Sequence, residues 1–196
     1  ICGLQIALAA LWKSWGITPA KVVGHSVGEV AAAYVAGIYS LDDACKIIYH
    51  RSRLQHTTQG QGKMIAAGIS ARDARALIGD LLDKVQIAAV NSSNLVTLAG
   101  DTAALQTIAD KLESDGAFFR WLAVDYPFHT HLMQPIKNEL LDVLADINPQ
   151  PARLPFVSTV TGGLFNGEKM DASYWWSNVR NPVLFAPAVS AMIRDG

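Results

Sequence analysis

Cysteine is scarce in this sequence: Cys2 and Cys45 are the only two among 196 residues, too few for a disulfide framework. They do not have metal-ligand spacing either, so no metal centre is expected. They read as small buried residues of a protein kept in a reducing, cytoplasmic compartment. An excess of charge is also lacking, since sixteen Lys and Arg against seventeen Asp and Glu leave a formal net charge of −1. Without a basic stripe there is no electrostatic footprint for nucleic acid. Long apolar runs are missing as well. Stretches such as Ile6 to Trp12 fall short of the roughly 20 residues a bilayer-spanning helix needs, and no secretory leader is recognisable, so no membrane association is expected. The chain lacks an initiating methionine and opens inside an apolar, helix-like stretch, which reads as a piece of a longer protein. Internal repeats and low-complexity tracts are absent.

What is present describes a globular α/β chain. With 51% hydrophobic and 17% charged residues, it has the material for one large domain, or one domain with an insert. Ile1 to Trp15 reads as a helix apolar on most faces, expected to be buried between other elements. A short apolar strand, Lys21 to Gly24, follows. Ser26 then sits between Gly24 and Gly28, and the alanine-rich segment from Val27 to Ala36 reads as a helix. Strand, glycine-flanked serine and helix in that order are the context of a nucleophile elbow, the sharp turn of α/β-hydrolase-like folds. Both glycines are expected to make room for the turn. Such a turn presents Ser26 Oγ at its tip with helix N–H groups behind it, an arrangement suited to attacking a carbonyl and holding the resulting oxyanion.

Ser40 with Asp42 and Asp43 marks the start of the next helix, running to about Gln55. Its apolar stripe is Ala44, Ile47, Ile48 and Leu54, and Arg51 falls on that stripe. An inward-facing arginine needs a partner, either a carboxylate of the protein or the anionic group of a ligand. From Gly60 to Asp125 the pattern becomes strand (Lys63–Ile69), helix (Ser70–Leu82), hairpin (Val85–Asn91 and Leu95–Gly100), helix (Thr102–Ser114) and strand (Ala117–Val124). That order is the ferredoxin-like βαββαβ unit. The expected organisation is a large subdomain with a parallel sheet, residues 1–61 and 127–196, carrying a small ferredoxin-like subdomain, residues 62–126. Beyond it come a helix from about Leu132 to Ile147, a strand from Leu154 to Val160, an aromatic stretch at Tyr174-Trp175-Trp176, and a last helix from Asn181-Pro182 to near Asp195.

Ser26 needs a base, and five histidines compete. His25 adjoins the serine, but neighbouring side chains on a turn point apart, so a local hydrogen bond suits it better. His50 and His56 lie on or just past the Arg51 helix, where solvated roles are usual. His129 and His131 lie on a loop where the chain returns to the large framework, and loops on a rigid scaffold carry catalytic groups. One of these two is the expected base.

Gly24-His25-Ser26-Val27-Gly28-Glu29, Arg51 and Tyr126-Pro127-Phe128-His129, together with Val90-Asn91-Ser92 and the Asn181-Pro182-Val183 ending, resemble the acyltransferase domain of polyketide and fatty acid synthases. The resemblance implies Ser26 as the acylated nucleophile and His129 as general base and then acid. It implies an oxyanion donor at the Val27 N–H and a carboxylate-binding guanidinium at Arg51, and leaves His131 a bystander. It implies no bound cofactor: the substrate is a coenzyme A thioester, and the acceptor is the phosphopantetheine thiol of an acyl carrier protein in a multidomain synthase. Tyr126 is similar to the tyrosine of methylmalonyl-type domains (Tyr-Ala-Ser-His), while Phe128 and Val27 are similar to malonyl-type ones (His-Ala-Phe-His), so malonyl-CoA is the expected donor. Pro127 departs from the usual alanine. The Gly-Gln-Gly segment that the family carries near its N-terminus has no counterpart here, because Gln59-Gly60-Gln61-Gly62 lies in a different place. The alternatives are a methylmalonyl-selective transferase, a serine thioesterase or esterase, and an inert docking fragment.

Overall fold

A computed structural model of the chain describes residues 1–194. Helix α1 (Cys2–Ser14) leads through a loop to strand β1 (Val22–Val23), and the Ser26 turn opens helix α2 (Gly28–Val35). Helix α3 (Leu41–His56) starts where the sequence signals it, with Ser40 Oγ accepting from the Asp43 N–H. Strand β2 (Lys63–Ala67), helix α4 (Ala71–Ile78), strands β3 (Val85–Ser92) and β4 (Leu95–Gly100), helix α5 (Thr102–Ser114) and strand β5 (Phe119–Trp121) follow. All neighbours in their sheet are antiparallel and the order is β3-β4-β2-β5. This is the split-βαβ arrangement expected of the insert. Its two helices cover one face, closing a core around Ile65, Leu98, Leu105 and Ile108, all fully buried.

Helix α6 (Lys137–Val143), strands β6 (Phe156–Ser158) and β7 (Gly163–Leu164), and helices α7 (Ala172–Arg180) and α8 (Phe185–Arg194) complete the chain. Strand β6 returns to pair parallel with β1, and β7 adds antiparallel on its far side. The large subdomain is therefore a mixed α/β layer whose parallel pair carries the serine turn at the C-terminal end of β1. Its core runs through Val30, Ile38, Ile47, Phe156 and Trp175. No helix among the described residues is long and apolar enough to cross a membrane.

Several expectations need correction, among them the burial of both cysteines: Cys2 is buried but Cys45 is exposed. Helix α1 is not buried between other elements: Leu4, Leu8, Leu11, Trp12 and Trp15 are exposed and only Cys2 is buried. One side of α1 lies on α2, and among the described residues nothing covers the other. The single helix expected from Leu132 is a 3₁₀ segment, His131–Ile136, before α6, because Pro135 has no N–H to give an α-helical ladder. The aromatic stretch forms α7, whose N-cap Asp171 accepts from the Tyr174 N–H. Asn181-Pro182 does not start the last helix. It is an extended link in which Val183 bridges Ala89 of β3, with the Val90 N–H donating to Val183 O at 2.8 Å and the Val183 N–H to Ala88 O at 2.9 Å. That link stitches the two sheets' subdomains together beside the site. The expected end of the last helix near Asp195 lies outside the described residues.

Candidate active site

Ser26 sits at the tip of the turn between β1 and α2 with φ +52°, a left-handed conformation that L residues adopt at a cost. Gly24 is what lets the turn close. A Cβ there would lie 2.3 Å from the backbone of Gly28 and Glu29. Gly28 differs, since its added Cβ would meet only the Gln5 side chain at 3.6 Å. Of the two glycines expected to make room, one is sterically required. Behind the serine, the Val27 N–H at the start of α2 finds no acceptor among the described residues. It is thus an unpaired donor next to the nucleophile, as an oxyanion site needs.

His129 is the histidine that reaches Ser26. Its Nε2 lies 2.8 Å from Ser26 Oγ, and its Nδ1 lies 3.0 Å from the carbonyl oxygen of Asn181. A carbonyl can only accept, so Nδ1 carries the proton in the neutral ring and Nε2 is left as the proton acceptor facing the serine. Asn181 is the C-cap of α7, and its extended ψ of 159° turns its carbonyl out of the helix and toward the imidazole. His129 itself has φ +62°, so both members of the pair sit on strained backbone. His131 is elsewhere: its N–H donates to Gln86 Oε1, and its Nδ1 is buried without a partner among the described residues. His25 is within 2.9 Å of Asn91 Oδ1, a local hydrogen bond of the kind expected. His56 Nδ1 is 2.9 Å from the Tyr126 hydroxyl.

Arg51 is 5% exposed and comes to the same place from α3. Its Nη2 donates to Ser26 Oγ at 2.9 Å, Nη1 to Gln55 Oε1 at 2.9 Å, and Nε to Asn178 Oδ1 at 3.2 Å. No carboxylate of the described residues lies within ion-pair distance of it. Burial pushes its basicity down to about 10, and the more distant Glu29 works in the opposite direction. Glu29, fully buried on α2, accepts from the Thr159 N–H and hydroxyl, the Tyr174 hydroxyl and the Asn178 amide. Burial raises its carboxyl above the ordinary value, and those donors pull it back.

The site opens into a cavity of about 580 Å³ lined by Ser26, Val27, Arg51, Gln55, Tyr126 and Phe128, among others. Tyr126 and Phe128 stack with ring centroids 4.9 Å apart and planes 9° off parallel, forming an aromatic wall in the three residues before His129. Among the described residues no cluster of three or more His, Cys, Asp or Glu is placed to hold a metal ion. Serine, imidazole and buried guanidinium therefore meet as the sequence suggests. Gln55, Asn178, Glu29 and the Asn181 carbonyl were missed as partners. Gln55, at i+4 from Arg51 on one helix, could have been found by spacing. Asn178 and Asn181 carry no local signal.

Burial, and next the charge of Arg51, push the His129 imidazole down to about 3 from an ordinary 6.5. The folded chain thus keeps this base neutral where the unfolded chain takes up a proton. Conformational stability supplied above the unfolded value is lost as pH falls from about 6.5 toward 3. The rate of any reaction that uses His129 as its base is expected to stay flat from about pH 7 to about pH 5, where an ordinary imidazole would titrate, while the thermal midpoint falls. Rates and melting curves measured across that range check both.

A serine turn on a parallel strand pair, a carbonyl-oriented histidine and an inserted antiparallel subdomain thus occur together in this chain. The chain belongs to the acyl transferase domain family, whose sequence model matches residues 1–196. It is 39% identical over 193 residues to Erythronolide synthase EryA2 of Saccharopolyspora erythraea, and 40% identical over 194 residues to the pikromycin polyketide synthase component PikAII of Streptomyces venezuelae. Each alignment covers 98% of this chain and 5% of the relative, so the chain spans about one-twentieth of those synthases. Among solved structures, the acyltransferase domain from module 8 of the salinomycin polyketide synthase superposes with TM-score 0.98 at 37% identity, over 100% of this chain and 46% of that one. A loading acyltransferase from the avermectin modular polyketide synthase gives 0.96 at 34% identity, over 100% of this chain and 63% of that one.

Proposed function

We propose that this chain loads a malonyl extender unit from coenzyme A, through an ester on Ser26, onto the phosphopantetheine thiol of an acyl carrier protein in a polyketide synthase. The observation that carries this reading is Arg51: a buried guanidinium 2.9 Å from the nucleophile, held by the neutral oxygens of Gln55 and Asn178 and, among the described residues, by no carboxylate. Three of its five N–H donors are engaged, leaving two for the free carboxylate of a dicarboxylic acyl group. A neutral acetyl group would gain nothing from it. The relatives' printed identity as polyketide synthases supports the choice of assembly.

The chemistry follows from the atoms present. Ser26 Oγ attacks the thioester carbonyl while His129 Nε2 takes the hydroxyl proton, and the oxyanion forms beside the Val27 N–H. Collapse breaks the C–S bond, and the His129 Nε2–H returns the proton to the coenzyme A sulfur. The carrier thiol then gives its proton to Nε2 and attacks the ester carbonyl, and collapse releases the carrier-bound thioester and restores Ser26 with the same proton. His129 is oriented by a carbonyl rather than by the acid that hydrolase triads place before a late histidine, which favours transfer over the hydrolase reading. The working division is a large subdomain of residues 1–61 and 127–196, with residues 62–126 as the small one, the acyl group being bound between them.

Phe128 sets the preference for malonyl over methylmalonyl by filling the space beside the base that an α-methyl would take. One methyl in an apolar pocket is worth about 1–3 kcal/mol. Phe128→Ser is therefore expected to raise methylmalonyl loading relative to malonyl by about tenfold or more. Loading with the two thioesters in competition, read by intact-protein mass spectrometry, measures the ratio. An unchanged ratio would remove Phe128 from the selectivity account.

A further inference from the structure

Between the Arg51 cation and the buried Glu29 carboxyl lies one neutral side chain. Asn178, on α7 and 3% exposed, accepts from Arg51 Nε at 3.2 Å through Oδ1. Through Nδ2 it donates to Glu29 Oε2 at 2.8 Å and to the Ser26 carbonyl at 3.3 Å. The orientation of this amide is forced by its surroundings. A guanidinium only donates, while the carbonyl of Ser26 and a carboxylate oxygen only accept, so the flipped amide would set donor against donor on one side and acceptor against acceptors on the other. Glu29 is held from its remaining sides by Thr159 and Tyr174, and Gln55 holds the other end of the guanidinium. The result is a chain of acid, amide and cation in which the two charged groups share a neighbour without forming an ion pair.

We infer that Asn178 is a specificity-positioning residue: it fixes the Arg51 guanidinium with a neutral oxygen and keeps Glu29 from pairing with it, so that the cation stays available to the substrate carboxylate. The inference rests on the proposed Arg51–carboxylate contact. A buried arginine already paired with a protein carboxylate has its charge compensated and one edge of its fork occupied, and it would discriminate poorly between charged and neutral acyl groups. Asn178 avoids this with a neutral amide that accepts from the guanidinium through its oxygen and donates to the acid through its nitrogen. Its bond to the Ser26 carbonyl ties the same amide to the elbow, so the cation and the nucleophile share one anchor.

The decisive variant is Asn178→Asp, which puts a carboxyl group about 3 Å from Nε in nearly the same volume, at the cost of setting an acceptor against Glu29 and the Ser26 carbonyl. Loading of malonyl and acetyl from their coenzyme A thioesters onto Ser26 of the intact chain is measured for both. The malonyl-to-acetyl ratio of kcat/KM is expected to fall by about tenfold to hundredfold, mainly through a higher KM for malonyl. Asn178→Ala, which adds no charge and relieves any crowding, is expected to lower the ratio less. It provides the reading if the aspartate variant fails to fold by circular dichroism. Equal losses for both thioesters in the folded variants would overturn the inference, because they would mean that Asn178 only supports the elbow. Arg51→Ala is run alongside: if it leaves the ratio unchanged, the carboxylate-binding reading itself fails, whereas a fall there without one at Asn178 sinks only the present inference.

Discussion

Ser26→Ala is expected to abolish acyl loading, leaving no adduct on the chain and turnover reduced on the order of 10⁶-fold, the scale seen when a serine nucleophile is removed from a unit that acts as one. The expectation follows from geometry. Ser26 Oγ is within 2.8 Å of His129 Nε2 and 2.9 Å of Arg51 Nη2, so its proton has an acceptor and its developing negative charge has a donor. Among the described residues no other hydroxyl makes that pair of contacts. His129→Ala is expected to cost almost as much, because the serine loses the imidazole nitrogen 2.8 Å from its hydroxyl, and the double variant little more than either alone. Steady-state transfer to a carrier protein, with intact mass of the chain after mixing with malonyl-CoA, measures all three. An adduct retained in Ser26→Ala would place the nucleophile elsewhere.

The second large effect is on choice rather than on rate. Arg51→Ala is expected to lower kcat/KM for malonyl-CoA by about a hundredfold, corresponding to about 3 kcal/mol for a lost charged, two-pronged contact. Acetyl-CoA, which has no carboxylate to place, is expected to lose much less, only what the Nη2 contact to Ser26 Oγ contributes. The malonyl-to-acetyl ratio therefore collapses although nucleophile and base are intact. Competition between the two thioesters gives the ratio directly, and circular dichroism reports whether the emptied space under Gln55 and Asn178 has disturbed the fold.

Much of the site is legible in the sequence where the information is local. The elbow is readable because strand, glycine, serine and helix are consecutive. Arg51 is readable because helical periodicity puts it on the same stripe as Ala44, Ile47 and Leu54, all of which are buried together with it. The insert's element order emerges for the same reason, although β5 covers only Phe119–Trp121 of the longer run. What sequence cannot place are contacts made at long range. The Asn181 carbonyl meets His129 only because α7 stops there and the next residues leave it extended to bridge β3. Asn178 and Thr159 converge on Glu29 and Arg51 from elements remote in the chain. The exposure of α1 illustrates the opposite failure: apolarity all round a helix is read as burial, yet burial depends on what else is there to cover it.

The measurement that tests the central claim most directly is the identity of the acyl group on Ser26. The chain is mixed with equal concentrations of malonyl-CoA and acetyl-CoA, quenched before transfer, digested, and the Ser26 peptide is read by mass spectrometry. A buried, uncompensated guanidinium beside the nucleophile predicts a predominantly malonyl ester on Ser26. Acetyl and malonyl esters in equal amounts, or an unmodified Ser26, would contradict it.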